Sequence, residues 1–188
     1  MRVIAGEAKG RTLVAPKGDA TRPATDRVRE TLFAILEPSL PDARVLDLFA
    51  GAGTLGLEAL SRGAAHATFV ERNKDALDAL RANIAATKFG DRSDVVNANV
   101  LGFLERDVPA ERYDLVFLDP PFADVAGLES ALAHPLLAPS LAPDATVVAR
   151  VLRKHPPTLP PTARIVRTKQ IGEEDLLFLR YSDAGGGG

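Results

Sequence analysis

The chain has 188 residues, 46% of them hydrophobic and 26% charged, and contains no cysteine. That is the balance of one globular domain; it excludes a disordered or collagen-like chain, a disulfide framework, thiolate metal ligands and a cysteine nucleophile. The net charge of −2 hides a segregation: residues 1–29 hold seven Arg or Lys against three Asp or Glu, residues 30–149 nine against eighteen, and residues 150–180 seven against three. Both ends are basic around an acidic middle, so a polyanion would meet positive patches despite the acidic isoelectric point. No run approaches about 18 apolar residues and the start lacks the apolar core of a signal peptide, so a soluble, cytoplasmic protein is expected.

Val3-Ile4-Ala5 and Thr12-Leu13-Val14 are short apolar runs separated by a loop with two glycines, which predicts a hairpin. Thr25 or Asp26 caps a predicted helix whose apolar residues Val28, Leu32, Ile35 and Leu36 share a face, and Pro38 and Pro41 end it. From Arg44 onward strands and helices alternate. Strand runs at Val45–Phe49, Ala67–Val70, Asp94–Asn97, Leu115–Leu118 and Thr146–Val151 are interleaved with helical segments at Leu55–Arg62, Lys74–Thr87, Val100–Arg106 and Gly127–Ala133. This predicts an α/β, doubly wound, mostly parallel sheet. Ala163–Thr168 and Leu176–Tyr181 are too close for a crossover helix and add an antiparallel hairpin at the edge, which makes seven strands. The expected division is an N-terminal hairpin and helix extension over residues 1–40, a core domain over 41–183, and a flexible tail over 184–188.

Two motifs carry chemistry. Gly51, Gly53 and Gly56 match G-x-G-x-x-G where the first strand meets the next helix, and Glu71 follows the second strand, placed to accept from ribose hydroxyls. That much fits a nicotinamide dinucleotide as well as S-adenosylmethionine. Asp47, four residues before Gly51, separates them: a carboxylate there repels a pyrophosphate and suits a ligand with an ammonium group. The second motif is Asp119-Pro120-Pro121-Phe122, directly after the fourth strand. The prolines fix two φ angles, so that the Asp119 carboxylate and the Pro120 carbonyl can converge on one exocyclic amine, and Phe122 offers a face on which a base can stack. His66, His134 and His155 have no metal-site spacing and are expected to be structural or superficial.

With these motifs the chain resembles class I S-adenosylmethionine-dependent methyltransferases of nucleobase amines, and RVIAGEAKGRTL, RPATDRVRETLF, DLFAGAGTLGLEALSRGA and DPPF together resemble the RsmD family, bacterial methyltransferases of guanine N2 in small-subunit (16S) ribosomal RNA. The resemblance implies a Rossmann-like methyltransferase domain and the cofactor S-adenosyl-L-methionine. It places Asp47, Phe49, Gly51, Gly53, Gly56, Glu71, Arg72, Asn99 and Val100 against the cofactor, with Arg29 and Glu30 beside its methionine end or the target nucleotide. Asp119, Pro120, Pro121 and Phe122 are the implied catalytic segment, and Thr25 and Arg27 lie beside the pocket. Arg2, Lys9, Arg11, Lys17 and Arg22 are expected to dock RNA through phosphate, and Thr25 and Arg27 to join them in binding RNA. The implied partner is ribosomal RNA, in an assembled or partly assembled small subunit; the protein is expected to be a monomer with no metal and no membrane contact. The chain departs from the family pattern at Ala149-Arg150-Val151, where relatives carry an acidic Glu, and at Asn99, where many carry Asp. Adenine N6 in DNA or RNA stays open as the acceptor. A nicotinamide-dependent oxidoreductase would need a catalytic Tyr, Ser or His, and Tyr113 and Tyr181 are the only tyrosines; a non-enzymatic RNA-binding protein would have little use for DPPF.

Overall fold

The computed structural model describes residues 1–17, 24–106 and 113–182. The alternation from Arg44 onward forms as predicted: β1 (Arg44–Asp47), α2 (Thr54–Ser61), β2 (His66–Glu71), α3 (Lys74–Thr87), β3 (Ser93–Asn97), α4 (Val100–Arg106), β4 (Tyr113–Leu118), α5 (Val125–Leu132) and β5 (Leu141–Leu152) follow α1 (Asp26–Leu36). The two last strands, β6 (Ala163–Ile171) and β7 (Glu174–Tyr181), close the order β3-β2-β1-β4-β5-β7-β6. β1 to β5 run parallel; β7 is antiparallel to β5, and β6 to β7. The chain winds outward from β1 in one direction through β2 and β3 and in the other through β4 and β5. The carboxyl ends of β1 and β4 therefore flank the crevice where open α/β sheets bind ligands.

Alternate residues of each buried strand feed two core clusters, one per sheet face. Val45, Phe69, Phe117 and Phe178 pack with Val28, Leu32 and Phe33 of α1, Leu57 of α2 and Leu80 of α3. Leu46, Val70, Val116 and Leu177 pack on the other face with Phe103 and Leu104 of α4 and Leu128 and Leu132 of α5. No helix among the described residues is long and apolar enough to cross a membrane.

The predicted N-terminal hairpin forms as a short antiparallel pair: Arg2 and Thr12 make one bridge, flanked by Val3 N donating to the Arg11 carbonyl at 2.9 Å and Leu13 N to the Met1 carbonyl at 2.7 Å, and it goes no further. The reason lies in its backbone partners. Ile4 N and Ala5 N donate to the Glu58 carboxylate at 2.8 and 3.0 Å, Glu7 N to the Ser61 carbonyl, and Ala8 N to the Ser61 hydroxyl. Asn83 of α3 then holds Val14 through both its N–H and its carbonyl, and donates to the Ala52 carbonyl in the glycine loop. The pairing stops after Val3 because the next donors, Ile4 N and Ala5 N, are spent on α2, and Val3 and Leu13 join the core cluster beneath α1.

Glu58 is the centre of that attachment. It is fully buried, accepts from Arg62 Nε at 2.8 Å, and lies 3.7 Å from Nη1 of the equally buried Arg29. Replacing Glu58 by Ala leaves two backbone N–H groups without an acceptor and the buried Arg29 guanidinium with Asp26 as its one carboxylate partner. The expected loss of stability is about 3–5 kcal/mol, read as a lowered urea midpoint. Glu58→Gln, which keeps acceptor capacity, should lose less.

Candidate active site

Asp47 pairs with Phe117 across the β1–β4 ladder, so Asp119 emerges two residues further along the neighbouring strand, and Glu71 ends β2 on the other side. Three carboxylates thus stand at the carboxyl ends of three adjacent strands. Asp47 is 1% exposed. One oxygen accepts from Gly56 N at 3.2 Å; the other, Oδ1, is buried without a hydrogen-bond partner. Burial pushes its carboxyl up to about 8; the Gly56 N–H pulls the other way, and the negative charges of Asp119 and Glu71 add to the rise.

The glycines divide their tasks. A Cβ on Gly56 would stand 2.3 Å from Phe69 Cε1, so the absence of a side chain there lets α2 approach β2. Gly51 is different: its φ is +55°, and a Cβ there would meet nothing within 4 Å, so its backbone borders open space. Glu71 ties this turn down. Its carboxylate accepts from Gly51 N, Arg72 N and Asn73 N, each at 2.8 Å. Asn99 accepts from Gly102 N at 2.8 Å and caps the first turn of α4, which Val100 opens. Phe49 is half-buried on the α4–α5 face, and Arg72 is exposed.

Asp119 is held by a residue that sequence reasoning left without a role. Arg150, on β5 and 6% exposed, donates through Nε to Asp119 Oδ1 at 2.6 Å and through Nη1 to Glu174 Oε2 at 3.2 Å, while its guanidinium carbon sits 4.7 Å from the centre of the Phe122 ring. One cation therefore engages both ends of the DPPF segment. Burial raises the Asp119 carboxyl above the usual range; Arg150 acts against this and Glu174 with it. Pro120 is buried and Pro121 exposed, its carbonyl accepting from Asp124 N at 2.8 Å. A small cavity lies between the start of α1 and this segment, lined by Ala24, Val28, Leu55, Asp119, Arg150 and Leu176. The signal for Arg150 was its departure from the family pattern; nothing local marked it, because its partners lie 31 and 24 residues away.

The remaining expected residues scatter. Arg29 does not line the cavity: it is 0% exposed and donates to Asp26 and the Arg2 carbonyl at 2.7 and 2.8 Å, an internal tie between α1 and the N-terminal segment. Thr25 is the N-cap of α1, accepting from Val28 N, and Arg27 and Glu30 are exposed on the same helix. Arg2, Lys9, Arg11 and Lys17 are exposed; Arg22 lies outside the described residues. Neither tyrosine reaches the crevice: the Tyr113 hydroxyl bonds Thr68 Oγ1 and the Tyr181 hydroxyl the Leu132 carbonyl. His66 pairs with Asp94 at 2.9 Å, and no metal-binding cluster occurs among the described residues.

The family described as conserved hypothetical protein 95 matches residues 1–180. The chain is 48% identical to ribosomal RNA small subunit methyltransferase D of Escherichia coli (strain K12) over 123 residues, 65% of this chain and 60% of that protein. It is 42% identical to the Haemophilus influenzae protein of the same name over 123 residues, 65% of this chain and 64% of that one. These matches span less than two thirds of either relative. Solved structures are similar over nearly full length: the methyltransferase yhhF of Escherichia coli at 39% identity and a TM-score of 0.82, covering 96% and 97% of the two chains, and a hypothetical protein of Thermus thermophilus at 31% and 0.79, covering 95% and 98%.

The buried carboxyl of Asp47 gives stability a definite pH dependence. Folded Asp47 keeps its proton up to about pH 8, while the unfolded chain releases it near pH 4. In that window the folded state binds more protons, so this group's contribution falls as pH rises. Asp47→Asn retains an acceptor for Gly56 N and cannot ionise. It should flatten the decline and exceed the wild type at pH 8 by roughly a few kcal/mol in denaturant titrations.

Proposed function

The chain belongs to the RsmD family, described as conserved hypothetical protein 95, and on that premise we propose that it methylates the exocyclic N2 amine of a guanine in small-subunit (16S) ribosomal RNA. The observation that carries this reading is the buried Asp47 carboxylate with its unpartnered oxygen, set beside Asp119 at the crevice. S-adenosylmethionine, when bound, supplies an electrophilic methyl group. The residues fit it: an orphaned buried carboxylate oxygen suits an ammonium group, and the open space at Gly51 lets a ligand approach the backbone. Asp47, the glycine loop and the N-terminus of α2 would hold the methionine end. Glu71 has four lone-pair sites and uses three on backbone N–H groups, which leaves one for a ribose hydroxyl. Asn99 and Val100 stand next along the rim for the adenine.

Asp119 performs the step on the acceptor. A guanine amine is a poor nucleophile because its lone pair is delocalised into the ring. A carboxylate oxygen and the Pro120 carbonyl that accept hydrogen bonds from its two N–H groups localise the lone pair on nitrogen and aim it; as the N–C bond forms, the proton that the nitrogen sheds leaves to solvent. Arg150 engages Oδ1 and leaves Oδ2 to the amine. The Phe122 ring, already steadied by the guanidinium on its face, offers its other face to a flipped base.

Asp119→Ala should abolish methyl transfer to small-subunit RNA while S-adenosylmethionine still binds by calorimetry, and Asp119→Asn should retain part of the activity. Full activity in the folded Ala variant would sink the mechanism. Arg150 is expected to appear in the pH profile. Without its charge the Asp119 carboxyl, still facing Glu174, rises further, so the acid limb of kcat/KM moves to higher pH in Arg150→Ala and less so in Arg150→Lys.

A further inference from the structure

Between Asp144 and Glu173 the chain carries six Arg or Lys and no acidic residue. Three of the six, Arg164, Arg167 and Lys169, sit on the edge strand β6, and all three are exposed. In a regular strand Arg164 would point to the face opposite Arg167 and Lys169. The pairing with β7 shows otherwise. Arg164 stands opposite Arg180, the register then shifts between Ile165 and Arg167, and Arg167 and Lys169 stand opposite Phe178 and Leu176. The bulge absorbs one residue, and cross-strand neighbours share a face, so the three cations leave β6 on one side of the sheet. It is the side covered by α1, because Leu176 and Phe178 pack in one cluster with Val28 and Leu32.

The row begins beside the candidate site. Leu176 pairs with Lys169 on one side and with Arg150 on the other. Lys169, Leu176 and Arg150 thus form one rung across three strands, and at about 4.8 Å per strand the Lys169 backbone lies about 10 Å from that of the residue holding Asp119. From there the row runs about 14 Å along the edge to Arg164. The two carboxylates of the facing strand β7 are engaged elsewhere, Glu174 with Arg150 at 3.2 Å and Asp175 with Arg153 at 3.0 Å. Among the described residues the three cations make no ion pair and no side-chain hydrogen bond. Charges on an edge strand deter pairing with other chains, but that needs no common face and no alignment with a site.

We infer that Arg164, Arg167 and Lys169 form a docking row for the phosphate backbone of the RNA substrate, leading along the sheet edge to the Asp119 pocket. The inference rests on the RNA-methyltransferase reading. Phosphate contacts fix position and register and read no base, so the row anchors the strand while the pocket selects the nucleotide. It adds a surface on β6 to the N-terminal cations.

The test compares wild type with Arg164→Gln/Arg167→Gln/Lys169→Gln, titrated with a fluorescent fragment of small-subunit ribosomal RNA between about 50 and 200 mM salt, with S-adenosylmethionine calorimetry as control. Each lost phosphate contact removes about 0.7–0.9 from the slope of log K against log salt, so the slope should become shallower by about 2–3 while cofactor affinity holds. Lys169→Glu alone should weaken RNA binding in the same salt-dependent sense, which covers the case of a triple variant that does not fold. Unchanged RNA affinity and slope in the folded variants, with wild type methylating the same RNA, would overturn the docking row and leave the enzymatic reading intact. A wild type that binds neither S-adenosylmethionine nor RNA would overturn both.

Discussion

The crevice is organised around a carboxylate removed from water. Asp47 sits at the end of the central strand with one backbone N–H to offset a desolvation cost of several kcal/mol, and two further carboxylates stand nearby. Such a group is satisfied by a cation that enters with the ligand, or it holds a proton. This constraint favours a cofactor carrying an ammonium group and disfavours a pyrophosphate, although the glycine spacing alone accommodates either. The hydroxyls of Tyr113 and Tyr181 are both spent on internal bonds, so neither tyrosine stands ready as the proton donor of a nicotinamide enzyme.

The other buried charges are paired, and each pair fastens a distant segment to the sheet. Arg29 and Glu58 anchor the first residues of the chain to α1 and α2, so residues 1–17 and 24–40 share their core with β1 and β2. Arg150 and Glu174 bind β5 and β7 to the loop after β4. In the second pair the cation also lies against Phe122, which couples the geometry of the DPPF segment to the antiparallel end of the sheet. Buried ion pairs contribute little net stability but are costly to break one partner at a time. Their effect here is positional.

The parallel core was legible because its signals are local: apolar runs of strand length, helical spacing between them, and turn residues at the junctions all agree for β1 to β5. Both motifs were legible for the same reason, being short and placed at strand ends. What escaped depended on distance along the chain. Glu58 takes the donors of residues 4 and 5, more than fifty positions away, and cuts the predicted hairpin short, clamping its loop to α2. The family resemblance places Arg29 beside the pocket, yet the helix rotates it into the interior against Glu58. The bulge at Val166 reverses the face that spacing assigns to Arg164, and no residue in β6 announces it.

The central claim concerns which atom receives the methyl group, and nucleoside analysis addresses it most directly. Small ribosomal subunits lacking the modification would be incubated with the protein and S-adenosylmethionine bearing a labelled methyl, and their RNA digested and resolved by chromatography with mass detection. Label in N2-methylguanosine, lost in Asp119→Ala, is the predicted result. Label in N6-methyladenosine, or no transfer to RNA by a protein that binds the cofactor, would contradict it.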